Sequence, residues 1–276
     1  MKRVLTVQDL SCIGRCSLTV ALPILSAMGL ETAVLPTAVL STHTQFQNFT
    51  FRDLTDDLNG ILAHWEKENF DFDAVYTGYL GSVRQIDIVL SMFETYGKRG
   101  SVCIADPVMG DAGKLYPGFD LAFVKRMAQV CAHADIILPN MTEASFMLGM
   151  DYRSEGYDET YIRDILKRLC DLGAKTAVLT GVSFHPSELG VMAYDSEKDT
   201  FYTYFNEKLP VSYHGTGDCF ASCFTGALIR GEGLQEAMKL SADFICECLK
   251  LTIADPARRT YGVNFEEALP LVMPKL

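Results

Sequence analysis

Short apolar runs alternate with longer amphipathic segments along most of this 276-residue chain. Residues 3–7 form a short β-type run, residues 8–15 are polar and rich in turn formers, residues 16–28 have helical spacing, and residues 32–35 form a second β-type run. This β–loop–α–β order is typical of parallel strands joined by crossover helices. The sequence therefore predicts an α/β fold around a mostly parallel sheet.

The alternation continues through the middle of the chain and then changes. Two β-type runs, residues 191–194 and 200–205, flank the turn sequence DSEKD, which predicts a hairpin and hence an antiparallel edge on the sheet. A long helix is predicted over residues 234–253, followed by a polar tail. No internal repeat, low-complexity stretch or linker is visible, so we predict one domain over residues 1–276.

Charge and cysteine content exclude several classes of protein. Lys and Arg number 24 against 35 Asp and Glu, giving a net charge of −11 and no basic block, so neither nucleic acid nor an anionic membrane is an expected partner. No apolar run reaches the roughly 18–20 residues of a membrane span, and no signal peptide is recognisable, which predicts a cytoplasmic protein. The nine cysteines include no C-x-x-C pair and are interpreted as small core residues rather than zinc or redox ligands.

The segment H-G-T-G-D at residues 214–218 carries the most chemical information. Gly215, Thr216 and Gly217 allow a tight turn that exposes backbone N–H groups, and the apolar run over residues 219–230 predicts a helix directly after it. Such N–H groups at a helix N-terminus attract phosphate. Asp218 is then the expected base of a kinase, activating the hydroxyl that attacks the phosphate. The alternative is a glycine-rich turn in which Asp218 only caps the helix.

Three predicted strands end in polar segments that contain Gly or Pro. These ends bring Asp106, Asn140 with Glu143, and Thr180 with Gly181 to the carboxyl side of the sheet, where open α/β sheets bind ligands. Asp106, Asn140 and Glu143 are oxygen donors suited to Mg²⁺ that carries nucleotide phosphates, directly or through water. Each could instead cap a helix, and Thr142 is the predicted N-cap of the helix that begins there.

Residues 41–51 (STHTQFQNFTF) interrupt the α/β alternation. They are rich in Thr, Gln, Asn and Phe, side chains that hydrogen-bond and stack. We interpret the segment as a flap or a short edge hairpin, with an ordinary surface loop as the alternative.

Five motifs together resemble the ribokinase-like superfamily and, within it, the vitamin B6 kinases. They are L-S-T-H-T at 40–44, T-G-Y-L-G-S at 77–82, D-P-V-M-G-D at 106–111, the segment from A-D-I-I at 134 to Glu143, and G-T-G-D at 215–218. The resemblance implies a three-layer α/β/α domain that forms homodimers. It also implies transfer of the γ-phosphoryl group of ATP to the 5′-hydroxymethyl group of pyridoxal, pyridoxamine or pyridoxine, with Mg²⁺ and often K⁺.

The resemblance assigns roles to particular residues. Asp218 matches the catalytic base and residues 215–217 its anion hole. Asp106 and Glu143 match residues that bind the metal. His43, Thr44 and Tyr79 match residues that enclose the pyridine ring. The nucleotide-side matches are Asp111, Tyr116, Asn140, Thr180 and Gly181.

Two positions depart from the family pattern and leave the substrate open. Asp9 replaces a Ser that contacts the pyridine ring, and an acid there suits a protonated ring nitrogen or a different ring. Gln45 replaces a Gly after the His-Thr pair. The alternatives are a hydroxymethylpyrimidine kinase of thiamine synthesis and a non-catalytic protein that binds nucleotide or vitamin. The intact Asp218 argues against the second.

Overall fold

The structure, a computed structural model, describes residues 1–274. Residue contacts divide it into two compact units: Met1–Gly81 with the chain from Leu209 onward, and Ser82–Lys208.

Within the described residues, the first unit contains four strands, four helices and a 3₁₀ helix. They are β1 (Arg3–Ile13), α1 (Leu18–Ala27), β2 (Glu31–Thr42), β3 (Phe51–Asp53), α2 (Thr55–Lys67), β4 (Ala74–Thr77), α7 (Thr216–Arg230), α8 (Leu234–Ala254) and the 3₁₀ helix Glu266–Leu271. The strands lie in the order β4-β1-β2-β3. β1 pairs in parallel with β2 and β4, whereas β3 pairs antiparallel with β2.

Helix α7 forms the centre of the first unit. Ten of its fifteen residues are buried, and it packs against both α1 and α8. A helix that is apolar on nearly every side is stable only inside a core. Phe224 of α7 and Phe244 of α8 are completely buried, and each contributes about 1.5–3 kcal/mol through removal from water. The N-terminus of α7, which carries the G-T-G-D segment, is thus held by a rigid core.

The second unit contains strands in the order β11-β10-β9-β8-β5. β5, β8 and β9 are parallel, and β10 and β11 continue the sheet antiparallel, which confirms the predicted hairpin edge. The elements are α3 (Val83–Lys98), β5 (Val102–Ala105), β6 (Gly110–Asp111), β7 (Lys114–Leu115), α4 (Leu121–His133), β8 (Ile136–Ile137), α5 (Met141–Leu148), α6 (Glu159–Asp171), β9 (Thr176–Val182), β10 (Glu188–Asp195) and β11 (Thr200–Glu207).

Two strands of the first unit are longer than the sequence predicted. The strand predicted over residues 3–7 continues to Ile13, and the strand predicted over 32–35 continues to Thr42. Residues 8–13 were predicted to lie in a polar loop, but they pair with β2, and the side chains of two of them bond each other in the interior. Ser11 Oγ donates to Asp9 Oδ2 over 2.9 Å. A register shift between Gln8 and Leu10 interrupts the pairing beside Asp9.

The cysteines lie mainly in the core. Seven of the nine cysteines are buried and all nine are free thiols, as expected of core residues. Within residues 1–274, no group of three or more His, Cys, Asp and Glu side chains could hold a metal ion. Over the same residues, no helix is long and apolar enough to cross a membrane.

Candidate active site

Gly215 brings two segments of the first unit into contact. It is the N-cap residue of α7, with φ of 82°, and a Cβ atom built on it would lie 1.8 Å from the Arg15 carbonyl oxygen. Only glycine permits this approach. Nothing lies within 4 Å of the corresponding position on Gly217, so the space beside the first turn of α7 is open.

Asp218 lies in the first turn of α7, and the alternative that it only caps the helix is wrong. No side chain caps α7; instead Asp218 Oδ2 accepts a hydrogen bond from the Ser17 N–H over 3.0 Å. Burial raises the pKa of Asp218 to about 7; the Ser17 N–H opposes the rise, and the negative charge of Asp9 adds to it. A base with a pKa near the working pH is suited to accept a proton in a reaction at neutral pH.

Asp9 is the second carboxylate of this neighbourhood and is only 4% exposed. Burial raises its pKa, while the hydroxyls of Ser17 and Ser11 hydrogen-bond it and oppose that rise. The negative charge of Asp9 also raises the pKa of Asp218 and the pKa of Tyr79, in both cases by less than burial does. The predicted residues Asp9, Tyr79 and Asp218 are therefore electrostatic neighbours.

His43 is held in one neutral tautomer. Its Nδ1 accepts from the Gln45 N–H over 3.3 Å, so Nε2 carries the proton and donates to the Tyr261 carbonyl over 3.0 Å. Burial lowers the pKa of His43, and burial together with His43 lowers that of His214 to about 4. The two imidazoles lie 4.5 Å apart between ring centroids. Both rings are therefore uncharged at neutral pH.

Residues 41–51, predicted to be a flap or a short edge hairpin, form an edge hairpin. Its two sides are the end of β2 and the start of β3, with Leu40 opposite Phe51. Thr44 lies exposed in the connecting turn. Phe46 in the same turn contacts the rings of His43 and Tyr261, at 4.9 and 5.8 Å between centroids. The turn is thus anchored by aromatic contacts to the segment after α8.

In the second unit, Asn140 and Glu143 form a capping box at the start of α5. Asn140 Oδ1 accepts from the Thr142 and Glu143 N–H groups, and Glu143 Oε2 accepts from the Asn140 N–H over 2.9 Å. The prediction that Thr142 is the N-cap is therefore wrong. Its hydroxyl instead accepts from the Gly113 N–H over 2.9 Å. Glu at the third helical position, which marks a capping box, favours Asn140 over Thr142 as the cap.

Glu143 also reaches the segment that follows β5. Its Oε1 accepts from the Met109 N–H over 3.1 Å, and the carboxylate is 3% exposed. Burial raises its pKa to about 8, which backbone N–H groups of Asn140, Met109 and Gly110 oppose. Both oxygens are engaged, so Glu143 suits a magnesium ion through water better than by direct contact. Asp106, 7% exposed, remains the other carboxylate predicted for the metal.

The other residues predicted to contact the nucleotide lie near the start of α5. Asn140 Nδ2 donates to the Gly110 carbonyl over 2.9 Å, which attaches the β6–β7 hairpin, with Asp111 at its turn, to α5. Tyr116 follows the hairpin and its N–H donates to the Met109 carbonyl. Thr180 pairs with Asn140 in a parallel bridge. Thr180 and Gly181 were predicted to follow this strand, but they lie within it, because β9 extends to Val182.

We expect Glu143→Gln to weaken use of Mg-ATP and to lower stability, while vitamin binding stays nearly unchanged. The amide would turn an NH₂ group toward one of the N–H donors of Asn140 and Met109, and an unsatisfied buried donor costs about 1–3 kcal/mol. Separate titrations with Mg-ATP and pyridoxal and a urea unfolding curve measure the three effects. Glu159→Gln, in the exposed first turn of α6, is the control; equal losses for both ligands would contradict the assignment.

The sequence matches the family model described as phosphomethylpyrimidine kinase over residues 25–261, which is most of the chain. The chain belongs to this family. The predicted phosphotransferase class is thereby confirmed.

Solved structures agree with this family. A Bacteroides thetaiotaomicron protein described as a candidate phosphomethylpyrimidine kinase, in a crystal form with pyridoxal, is 41% identical and superposes with a TM-score of 0.93 over 99% of this chain and 96% of its own. Pyridoxal kinase from Lactobacillus plantarum is 34% identical, with a TM-score of 0.89 over 99% and 96% of the two chains. The ribokinase-like α/β fold with a mostly parallel sheet is confirmed.

Curated relatives include pyridoxal kinases. That of Dictyostelium discoideum is 28% identical over 245 residues, covering 83% of this chain and 78% of its own length. The predicted resemblance to the vitamin B6 kinases is confirmed.

Four residues that contact the predicted site residues were not themselves predicted: Ser11, Ser17, His214 and Tyr261. Ser17 and Ser11 lie in stretches predicted as loop or helix, and Tyr261 in a predicted polar tail. For His214, the one sequence signal of a place in the site was its position directly before the glycine loop.

Proposed function

We propose that this phosphomethylpyrimidine kinase family member transfers the γ-phosphoryl group of ATP to the 5′-hydroxymethyl group of a B6 vitamer, pyridoxal, pyridoxamine or pyridoxine. The observation that carries the proposal is Asp218: a carboxylate with a pKa of about 7, in the first turn of a buried helix. The pyridoxal-containing crystal form of the 41% identical relative and the pyridoxal kinases among the other relatives support the acceptor.

Asp218 acts on the acceptor alcohol. A primary alcohol is a poor nucleophile at neutral pH, and its proton must leave as the bond to phosphorus forms. The carboxylate orients the alcohol and accepts that proton, while the Ser17 N–H fixes one carboxylate oxygen and leaves the other for the substrate.

The N-terminus of α7 serves the transferred group. The N–H groups of Thr216, Gly217 and Asp218 belong to the first helical turn and have no acceptor within the helix. Such groups stabilise negative charge that develops on the phosphoryl oxygens. Gly217 leaves the approach to these amides free of a side chain.

The nucleotide side is assigned to residues of the second unit. Asp111, Tyr116, Asn140, Thr180 and Gly181 are proposed to contact the nucleotide. Asp106 would hold Mg²⁺ and Glu143 would reach it through water, as suits an ion that retains waters and binds mainly to phosphate. When bound, Mg²⁺ neutralises charge on the phosphates. A monovalent cation such as K⁺ and assembly into a homodimer are also proposed, tested by activity in K⁺ against Na⁺ buffers and by light scattering.

Turnover separates this proposal from a non-catalytic binding protein. Purified protein incubated with Mg-ATP and pyridoxal should form pyridoxal 5′-phosphate, detected by chromatography and mass spectrometry, at a rate proportional to enzyme concentration. Binding of pyridoxal without product, under conditions where an authentic B6 kinase turns over, would favour the non-catalytic alternative.

We expect Asp9→Ser to raise KM for the vitamin more than it lowers kcat. If Asp9 pairs with a protonated ring nitrogen, the charge-assisted hydrogen bond is worth roughly 1.5–3 kcal/mol, or about ten- to a hundredfold in affinity. Steady-state kinetics with each vitamer measure the change. Asp73→Ser removes a carboxylate of the same unit that bonds Lys2 and Arg3 instead, and should leave KM unchanged. No change in KM for any vitamer on Asp9→Ser would show that Asp9 does not contact the ring.

A further inference from the structure

The β6–β7 hairpin of the second unit carries Asp111, a residue proposed to contact the nucleotide. Its two-residue turn, Ala112 and Gly113, has φ of 48° and 76°, as the tightest hairpin turns require. Asp111 pairs with Lys114 across the turn. Each strand has only two residues, and a two-stranded ribbon is at best marginally stable alone in water. The position of Asp111 therefore depends on what holds the hairpin to the rest of the unit.

We propose that Thr142 is a positioning residue that holds the turn of this hairpin, and with it Asp111, against the start of α5. The Thr142 hydroxyl accepts a hydrogen bond from the Gly113 N–H over 2.9 Å. Thr142 is 2% exposed, so water competes little for its hydroxyl. The residue lies in the first turn of α5, but Asn140 is the cap of that helix. The hydroxyl thus serves the hairpin and not its own helix.

Two other hydrogen bonds join α5 and its cap to this segment, and both lie at the base of the hairpin. Asn140 Nδ2 donates to the Gly110 carbonyl over 2.9 Å. Glu143 Oε1 accepts from the Met109 N–H over 3.1 Å. These bonds fix the start of β6, whereas the bond to Thr142 acts on the turn itself.

The ring of Tyr152 packs against the same turn. A Cβ atom built on Gly113 would lie 2.6 Å from Cδ1 of that ring, so the contact requires glycine. Burial of apolar surface has no preferred direction, whereas a hydrogen bond weakens steeply when its angle changes. The ring therefore keeps the turn in place, and the bond to Thr142 sets its orientation.

Replacing Thr142 with Val removes the hydroxyl and nearly keeps the shape of the side chain. The inference rests on the proposed function, in which Asp111 contacts the nucleotide, so a non-hydrolysable ATP analogue with Mg²⁺ is titrated calorimetrically, without need of turnover. We expect Thr142→Val to raise its dissociation constant about fivefold or more, the effect of leaving an N–H group without its acceptor. Thr142→Ser keeps the hydroxyl and should stay within about twofold of wild type. KM for Mg-ATP should change in parallel, while KM for pyridoxal stays within about twofold.

A mutant cycle tests whether Thr142 acts through Asp111. In an Asp111→Asn background, Thr142→Val should cost less than about twofold in affinity for the analogue, because the residue that it positions is already altered. Hydrogen exchange at the Gly113 amide, followed by NMR, tests the contact itself. Exchange should become about fivefold or more faster in Thr142→Val and stay near wild type in Thr142→Ser.

Ser145→Ala is the matched control, one turn further along α5. It also removes one buried hydroxyl, which bonds the Met141 carbonyl over 2.8 Å, and it should leave affinity and Gly113 exchange within about twofold. Wild-type affinity in Thr142→Val, an equal loss in Ser145→Ala, or the same loss in the Asp111→Asn background would overturn the role of Thr142. If the analogue binds and responds to Thr142→Val as expected, but the wild type phosphorylates no vitamer, the proposed function alone is overturned.

Discussion

Replacing Asp218 with Asn should lower kcat by about 10²–10⁴-fold, the usual contribution of general-base catalysis. Asn keeps the size of the side chain, and its carbonyl oxygen can still accept the Ser17 N–H. It cannot accept a proton from the acceptor alcohol. Affinities for Mg-ATP and for pyridoxal should therefore stay near normal, as measured by separate titrations. Turnover above about a tenth of the wild-type rate would show that Asp218 is not the base.

The same substitution should make the folded protein more stable at neutral and alkaline pH. The pKa of Asp218 is about 7 in the folded state against 3.8 for the free side chain, so the folded form binds its proton more tightly. Stability is therefore lost as pH rises from about 4 to 7, and the full penalty is present above pH 7. Because Asp218 is partly exposed, we expect Asp218→Asn to gain only about 1–3 kcal/mol at pH 8.5. Urea unfolding at pH 8.5 and pH 5.5 measures it. The gain should shrink at the lower pH, and a pH-independent difference would contradict the pKa assignment.

Gly215→Ala should damage both fold and activity. Alanine at φ of 82° costs about 1–2 kcal/mol, and its methyl group would overlap the Arg15 carbonyl oxygen, 1.8 Å away. The chain must shift to relieve the overlap, which brings the expected destabilisation to roughly 3–5 kcal/mol. The shift moves Ser17 and with it Asp218, and a displacement of about 1 Å can cost 10²-fold in rate.

Gly217→Ala is the matched control for that change. Its methyl group would meet nothing within 4 Å, so unfolding free energy should change by less than about 1 kcal/mol. The rate should nevertheless fall, because the methyl group enters the open space beside the first-turn amides. Thermal melts and steady-state kinetics of the two variants compare these effects. Wild-type stability and rate in Gly215→Ala would show that the contact with Arg15 is not required.

The order of the elements could be predicted from the sequence because its signals are local. Alternating apolar runs indicated the parallel strands and the antiparallel edge, and the G-T-G-D segment indicated a helix N-terminus with Asp218 in its first turn. The extent of β1 could not be predicted, since Gln8, Asp9 and Ser11 are polar and residues 8–13 form a strand only by pairing with β2, with Asp9 bonded by Ser11 in the interior. Ser17 was missed for the same reason: its partner Asp218 lies 201 residues further along the chain.

The capping box shows a second limit. Asn140 and Glu143 were predicted as ligands because oxygen donors after a strand suit both a metal and a helix start. The structure shows both in the helix start, with Glu143 bonded to Asn140 and to Met109. This arrangement joins the segments that follow two strands of the second unit, β5 and β8. Composition alone could not separate the two uses, because each requires the same side-chain oxygen.

The acceptor is decided most directly by steady-state phosphorylation of pyridoxal, pyridoxamine, pyridoxine and hydroxymethylpyrimidine by the purified protein with Mg-ATP, each product identified by mass. We expect at least one B6 vitamer to be phosphorylated with a kcat/KM about tenfold or more above that for hydroxymethylpyrimidine, and Asp218→Asn to lower both values by the same factor. Preference for hydroxymethylpyrimidine over all three vitamers would contradict the proposed substrate while leaving the kinase chemistry in place. No phosphorylation of any of the four would contradict the account as a whole.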